Sequence, residues 1–194
     1  MTVTTRVLTG AALTDALDDV ARLRIAVFRD WPYLYDGDPD YERRYLAAYQ
    51  SPDAVVVVAR DGGRIVGAST GAPMADHADD FAAAFADRPE DLSQIFYCAE
   101  SVLLPRYRGH GLGHAFFDAR EDHARRLGFR YSAFCSVQRP ADHPARPATY
   151  RPLDGFWRKR GYQPLPGVTA RFSWKDVGEP VETGKPLQFW MRSL

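Results

Sequence analysis

The sequence predicts a single mixed α/β domain, a central mixed β-sheet with helices on both faces. Three observations predict it. Apolar spacing switches repeatedly between helical and strand periods, with a hairpin set among strand–helix–strand units. The chain has 194 residues, 45% of them hydrophobic, which suits one buried core spanning residues 1–194 rather than two large ones. No internal repeat or low-complexity segment breaks the pattern.

Val3 to Leu8 alternates and reads as a first strand. Leu13, Leu17, Val20, Leu23 and Val27 recur at steps of four and three, the stripe of an amphipathic helix. An aromatic and acidic loop, WPYLYDGDP, runs from Trp31 to Pro39. Asp38 before Pro39 reads as an N-cap with proline in the first helical position, and the helix it opens carries Tyr41, Tyr45 and Tyr49 on one face. Ala54 to Arg60 is nearly continuous apolar sequence, as in a strand covered on both faces. Asp61-Gly62-Gly63 marks a tight turn, and Arg64 to Thr70 returns as its hairpin partner.

His77 to Ala86 is predicted as a short helix with Phe81 and Phe85 inward, and Ile95 to Leu104 as a long strand. Gly111 to Leu127 has the strongest helical pattern, with Leu112, Ala115, Phe116, Ala119, His123 and Leu127 on one face and Gly128 as cap. Arg130 to Val137 reads as a strand, and Arg139 to Pro152 as a loop punctuated by four prolines. A short helix with Leu153, Phe156 and Trp157 inward follows, then strands at Val168 to Trp174 and Leu187 to Met191.

Charge and composition exclude several functions. Lys plus Arg equals Asp plus Glu at 25 each, so there is no net basic field for nucleic acid or an anionic membrane. No apolar run exceeds six residues, as in Ala54 to Ala59, far short of a bilayer span. Met1 to Gly10 lacks the apolar core of a signal peptide. Cys98 and Cys135 are too few for a disulfide scaffold and read as small core residues. These features predict a cytoplasmic protein, monomer or homodimer.

The informative segment is Leu103 to Gly113, LLPRYRGHGLG: a strand end, a proline, basic residues and three glycines before a helix. Glycines at a strand-to-helix turn let backbone N–H groups converge, and the helix N-terminus adds partial positive charge. Together they suit a phosphate or pyrophosphate, with Arg106 and Arg108 as further donors. A nucleoside-triphosphate loop needs Gly-Lys followed by Ser or Thr, and no lysine is present. A dinucleotide fingerprint needs a later third glycine and an acidic residue at the next strand end, where Cys135, Ser136 and Val137 stand.

Arg106-Tyr107-Arg108-Gly109-His110-Gly111 matches R/Q-x-x-G-x-G/A, the acyl-CoA motif of the GNAT superfamily of N-acyltransferases. The element order resembles that superfamily over essentially the whole chain, and FWRKRGY (Phe156 to Tyr162) resembles its short-helix motif. The resemblance implies acetyl-CoA as co-substrate, with its pyrophosphate on the amides of Arg108, Gly109, His110, Gly111, Leu112 and Gly113. It also implies pantetheine beside Val102, Leu103 and Leu104, and a small-molecule amine as acceptor.

Glu100 interrupts an apolar strand, where a carboxylate is costly unless paired or functional. It is the expected general base; the alternative is a structural partner for an arginine. The superfamily usually has tyrosine in the short helix where this chain has Trp157, and tryptophan cannot protonate a thiolate. Tyr150 is therefore the candidate acid, and a CoA-binding regulatory or sensor module with little turnover stands as the alternative function.

Trp31, Tyr33, Tyr35 and Asp36 suit a cationic amine, and Arg139 and Arg146 suit an anion on the same acceptor. Both loops are alternatively simple connectors. His110, His114 and His123 lack paired carboxylate or thiolate ligands, so no metal is expected.

Overall fold

β1 (Val3–Leu8) pairs antiparallel with β2 (Val55–Asp61), β2 with β3 (Arg64–Pro73), and β3 with β4 (Ile95–Leu103). β4 runs parallel to β5 (Tyr131–Val137). β5 pairs antiparallel with β7 (Glu182–Ser193), and β7 with β6 (Gln163–Lys175). The result is one seven-stranded sheet in the order β1-β2-β3-β4-β5-β7-β6, mixed as the sequence predicts. The structure, a computed structural model, describes residues 3–194; Met1 and Thr2 of the N-terminal stretch read above lie outside the described residues.

Helices cover both faces. α1 (Gly10–Phe28) and α2 (Pro39–Ala47) bury Leu13, Val20, Leu23 and Leu46 against Val56, Val58, Ala68 and Val102. α4 (Leu112–Arg126) covers the other face, with Phe116 and Phe117 among Val55, Val57, Val66 and Phe96. The alternation of β2 explains its apolar run: successive valines feed opposite cores. α3 (Ala78–Phe85) sets Phe81 and Phe85 edge-on to Phe189, with ring centroids 5.2 and 4.9 Å away. Asp38 caps α2 as expected, accepting from Tyr41 N–H at 2.7 Å with Pro39 beginning the helix.

Two packing expectations need correction. The buried face of α4 is Leu112, Phe116, Phe117, Arg120, Glu121 and Ala124, while Leu127 is 41% exposed. Periodicity that counts only apolar residues misplaces this face, because Arg120 and Glu121 are buried by satisfied polar contacts. Arg120 donates to the carbonyls of Thr70 (3.2 Å) and Glu100 (2.9 Å) and to Ser101 Oγ (2.9 Å). Glu121 accepts from the Tyr162 hydroxyl at 3.0 Å and pairs with Arg160 at 3.1 Å. Leu153 is 54% exposed rather than inward, because α5 (Asp154–Lys159) begins one residue later and leaves Leu153 outside its first turn.

The feature that positions the site is a split between β4 and β5. Their pairing covers only Ile95, Phe96 and Tyr97 opposite Tyr131, Ser132 and Ala133. Beyond these the strands part. On the other side of β4 the register with β3 shifts between Thr70 and Ala72, an irregularity of the kind that bends and twists a strand.

Candidate active site

The glycine-rich turn lies at the open end of β4. Leu104 N–H donates to Val66 O at 3.0 Å, and one 3-10 turn, Pro105–Tyr107, follows. Tyr107 is buried and anchors the turn, its hydroxyl donating to Asp61 Oδ2 at 2.8 Å. Gly109 and Gly111 then take φ values of +81° and +80°, a region that side chains disfavour. Gly111 occupies the N-cap position of α4, where no side chain caps the helix. The first amides of α4 thus have no side-chain partner at the N-cap, and nothing lies within 4 Å of where a Cβ would stand on Gly109 or Gly111. This is a cradle that fits a diphosphate. Arg108 is exposed there, its Nε donating to Leu103 O at 3.2 Å, whereas Arg106 is turned onto Tyr107, donating to its hydroxyl at 2.7 Å.

On the opposite side of β4, a cavity of about 540 Å³ opens between α1, α2 and the β6–β7 hairpin, with Glu100 in its lining. Glu100 is 9% exposed and does not stand alone. Arg24 pairs with both Glu100 and Glu42, and the Tyr45 hydroxyl donates to Glu100 Oε2 at 2.8 Å. Arg24 also lies over the Tyr45 ring, 4.3 Å from its centroid. Burial opposes the charge on Arg24, but the neighbouring charges of Glu100 and Glu42 hold it well above its ordinary pKa. Burial and the Glu100 charge push the Tyr45 phenol well above its usual value, so it remains a donor.

Arg24, Glu42 and Tyr45 were not among the expected site residues. The signal was present for two of them: Arg24 falls between Val20 and Phe28 at four-residue steps, and Glu42 is four residues before Leu46. Each is therefore a charge on an apolar stripe.

The aromatic loop forms a wall of this cavity. Tyr33 packs against Phe28 and Trp174, with centroids 4.4 and 5.8 Å away. Leu34 takes a φ of +55°, held by hydrogen bonds to Asp30 O (3.0 Å) and from Val177 N–H (2.7 Å). Tyr35 bridges to Asp176, and Asp36 pairs with Lys175 at 2.7 Å, which lowers its pKa.

The expected acceptor residues do not converge. Tyr33, Tyr35 and Asp36 line the Glu100 cavity, but Trp31, Arg139, Arg146 and Tyr150 line a second cavity of about 450 Å³ beside the end of β5. The Trp31 and Tyr150 rings meet edge to face at 5.9 Å, with Arg146 5.6 Å from the Tyr150 centroid. Arg139 is committed to the fold. Its guanidinium grips Asp176 with two bonds (2.7 and 3.0 Å) and donates to Pro32 O (2.9 Å) and Tyr33 O (2.7 Å). Trp157 packs on Phe134 and Trp190, with centroids 5.0 and 5.1 Å away.

Cys135 lies 3.2 Å from the Tyr97 hydroxyl, and burial pushes its thiol up to about 12, unsuited to a nucleophile. His110 is exposed in the glycine turn, His114 Nδ1 faces Arg160 at 3.1 Å, and His123 Nε2 lies 3.0 Å from Asp53 O. Among the described residues no three His, Cys, Asp or Glu side chains gather as metal ligands, and no helix is long and apolar enough to cross a membrane.

The model of the acetyltransferase (GNAT) family matches residues 20–154. Similar solved structures include a ribosomal-protein-alanine N-acetyltransferase from Brucella melitensis, at 15% identity and TM-score 0.62, covering 98% of this chain and 99% of that one. A putative acetyltransferase, yncA from Salmonella typhimurium, solved with its cofactor acetyl-CoA, shares 16% identity with TM-score 0.60 over 99% and 94% of the two chains. A polyamine N-acetyltransferase from Drosophila melanogaster shares 12% identity with TM-score 0.62, covering 100% of both chains. At these identities the similarity shows the fold. No curated protein matches the chain in sequence.

Proposed function

The chain belongs to the GNAT acetyltransferase family, and from that premise we propose that it is an acetyl-CoA-dependent N-acetyltransferase whose small amine acceptor enters the Glu100 cavity. One observation carries the reading. Glu100 lies on the half of β4 that parts from β5, and the open amide cradle follows the end of that same strand. Acetyl-CoA would supply the activated acyl group.

The amides from Arg108 to Gly113 would hold its diphosphate, and the edge of Val102 to Leu104 its pantetheine arm. Because Leu104 N–H is spent on Val66, strand alternation turns Leu103 N–H toward the open side, where it would polarise the thioester carbonyl. Glu100 would accept the proton of the attacking amine, its oxygens fixed by Arg24 and Tyr45. Tyr150, which lines the cavity beside the end of β5, is the donor proposed for the leaving thiolate. The amine attacks directly, so no covalent enzyme intermediate is needed. A second reading, a CoA-binding regulatory module with little turnover, draws its support from Trp157, which packs into the core and offers no acidic proton.

Thermal unfolding with saturating acetyl-CoA, CoA, ATP and NAD tests the cradle. At a hundred times Kd a ligand adds about 2.7 kcal/mol, and we expect that gain from the CoA species alone. Gly109→Ala meets open space but must hold φ at +81°, at a cost of about 1–2 kcal/mol. It is expected to lower Tm and to shrink the acetyl-CoA shift. An equal shift with ATP or NAD, or none with either CoA species, contradicts the assignment.

A further inference from the structure

We propose that the acceptor is a dication: beside the nitrogen that reacts, it carries a second positive group bound in the same cavity. This rests on the reading of the Glu100 cavity as the acceptor site.

The first argument is the charge of the cavity floor. Glu42, Arg24 and Glu100 are 0%, 6% and 9% exposed, and two carboxylates share one guanidinium there. The cluster carries one excess negative charge, which burial makes costly unless a cation completes it. Glu42 is fully buried behind the cavity wall, so an acceptor meets the excess charge through Glu100, which lines the cavity.

The second argument is the rim. Asp38, Asp80 and Glu182 line it, and Asp80 has only His77 Nδ1 nearby, at 4.0 Å. Of the cations in the lining, Arg24 is taken by the floor and Lys175 by Asp36, which leaves Arg44 at the surface. Carboxylates therefore outnumber cations from floor to mouth.

The third is a ladder of rings along α2 and the 3-10 turn Ala48–Gln50 that follows it. Half-exposed Tyr41 stacks on Tyr45 with centroids 6.3 Å apart, and Tyr45 meets buried Tyr49 at 5.5 Å. Arg24 already occupies a face of Tyr45, the kind of contact an acceptor cation would make with Tyr41 at the mouth. An acceptor carrying an anion finds no matching partner on the floor, since Arg139 is held in four bonds and Arg146 lines the other cavity. The class that fits is an α,ω-diamine, or an amine bearing an amidinium or guanidinium group.

The test is calorimetric titration of the full chain, with CoA present, using diaminobutane, butylamine and aminobutyrate of equal chain length, followed by the same three as acyl acceptors. Diaminobutane is expected to bind about tenfold or more tightly than butylamine, a difference of about 1.4 kcal/mol, with aminobutyrate weakest. Asp80→Asn, at an exposed position where folding is not at stake, should raise KM for the diamine more than for the monoamine. Glu42→Gln should do the same at the floor. Equal binding of monoamine and diamine, tightest binding of the amino acid, or no binding of any of the three overturns the proposal. Diamine binding without acyl transfer would uphold dication recognition and overturn the proposed enzymatic function. Acyl transfer to all three with equal efficiency would do the reverse.

Discussion

Glu100→Gln is expected to lower acyl transfer by about 10²- to 10⁴-fold, the range of a positioned general base, while acetyl-CoA still stabilises the fold. The two effects separate because the amide cradle involves no side chain of the Glu100 network. The variant should fold. Glutamine is nearly isosteric, its amide oxygen can still accept from Tyr45, and Glu42 remains to neutralise Arg24. Were Glu100 only a structural partner for Arg24, the substitution would lower Tm and leave kcat in place. Thiol release measured beside unfolding in acetyl-CoA distinguishes these results.

Arg139→Met is expected to act on stability instead. The guanidinium joins Pro32 and Tyr33 of the aromatic loop to Asp176 at the end of the β6–β7 hairpin, mostly out of solvent. Breaking a buried pair leaves its partner uncompensated at a cost of about 3–5 kcal/mol. The lower end is expected, since Lys185 stays 3.2 Å from Asp176. At about 2–4 °C per kcal/mol for a protein this size, the midpoint should fall by about 6–12 °C. Acceptor KM should rise with it, because the same loop carries Tyr33 and Tyr35 on the cavity wall. A raised KM with an unchanged Tm would instead make Arg139 a direct substrate contact. Differential scanning calorimetry decides between the two.

Features with local causes were legible in the sequence. The Asp61-Gly62-Gly63 turn, the Asp38–Pro39 cap and the glycine turn before α4 each depend on residues within a few positions of one another, and each stands where expected. The doubly buried strand at Val55 to Val58 was legible for the same reason. Partnerships across the fold were not. Arg24 and Glu42 lie 18 residues apart, Tyr45 and Glu100 lie 55 apart, and only the packing of α1 and α2 on β4 joins them. The division of the expected acceptor residues between two cavities, and the use of Arg139 as a latch, depend on the β6–β7 hairpin reaching back to residues 32–36. Nothing within the aromatic loop signals that contact.

The most direct measurement is mass spectrometry of the amine after incubation with acetyl-CoA, alongside free-thiol release, for a diamine, a monoamine, an amino acid, an amino sugar and a peptide. The account predicts an amine heavier by one acetyl group, formed in step with CoA, by the wild type and at most weakly by Glu100→Gln. CoA release with no acetylated amine from any acceptor, or equal product from the wild type and Glu100→Gln, would contradict it.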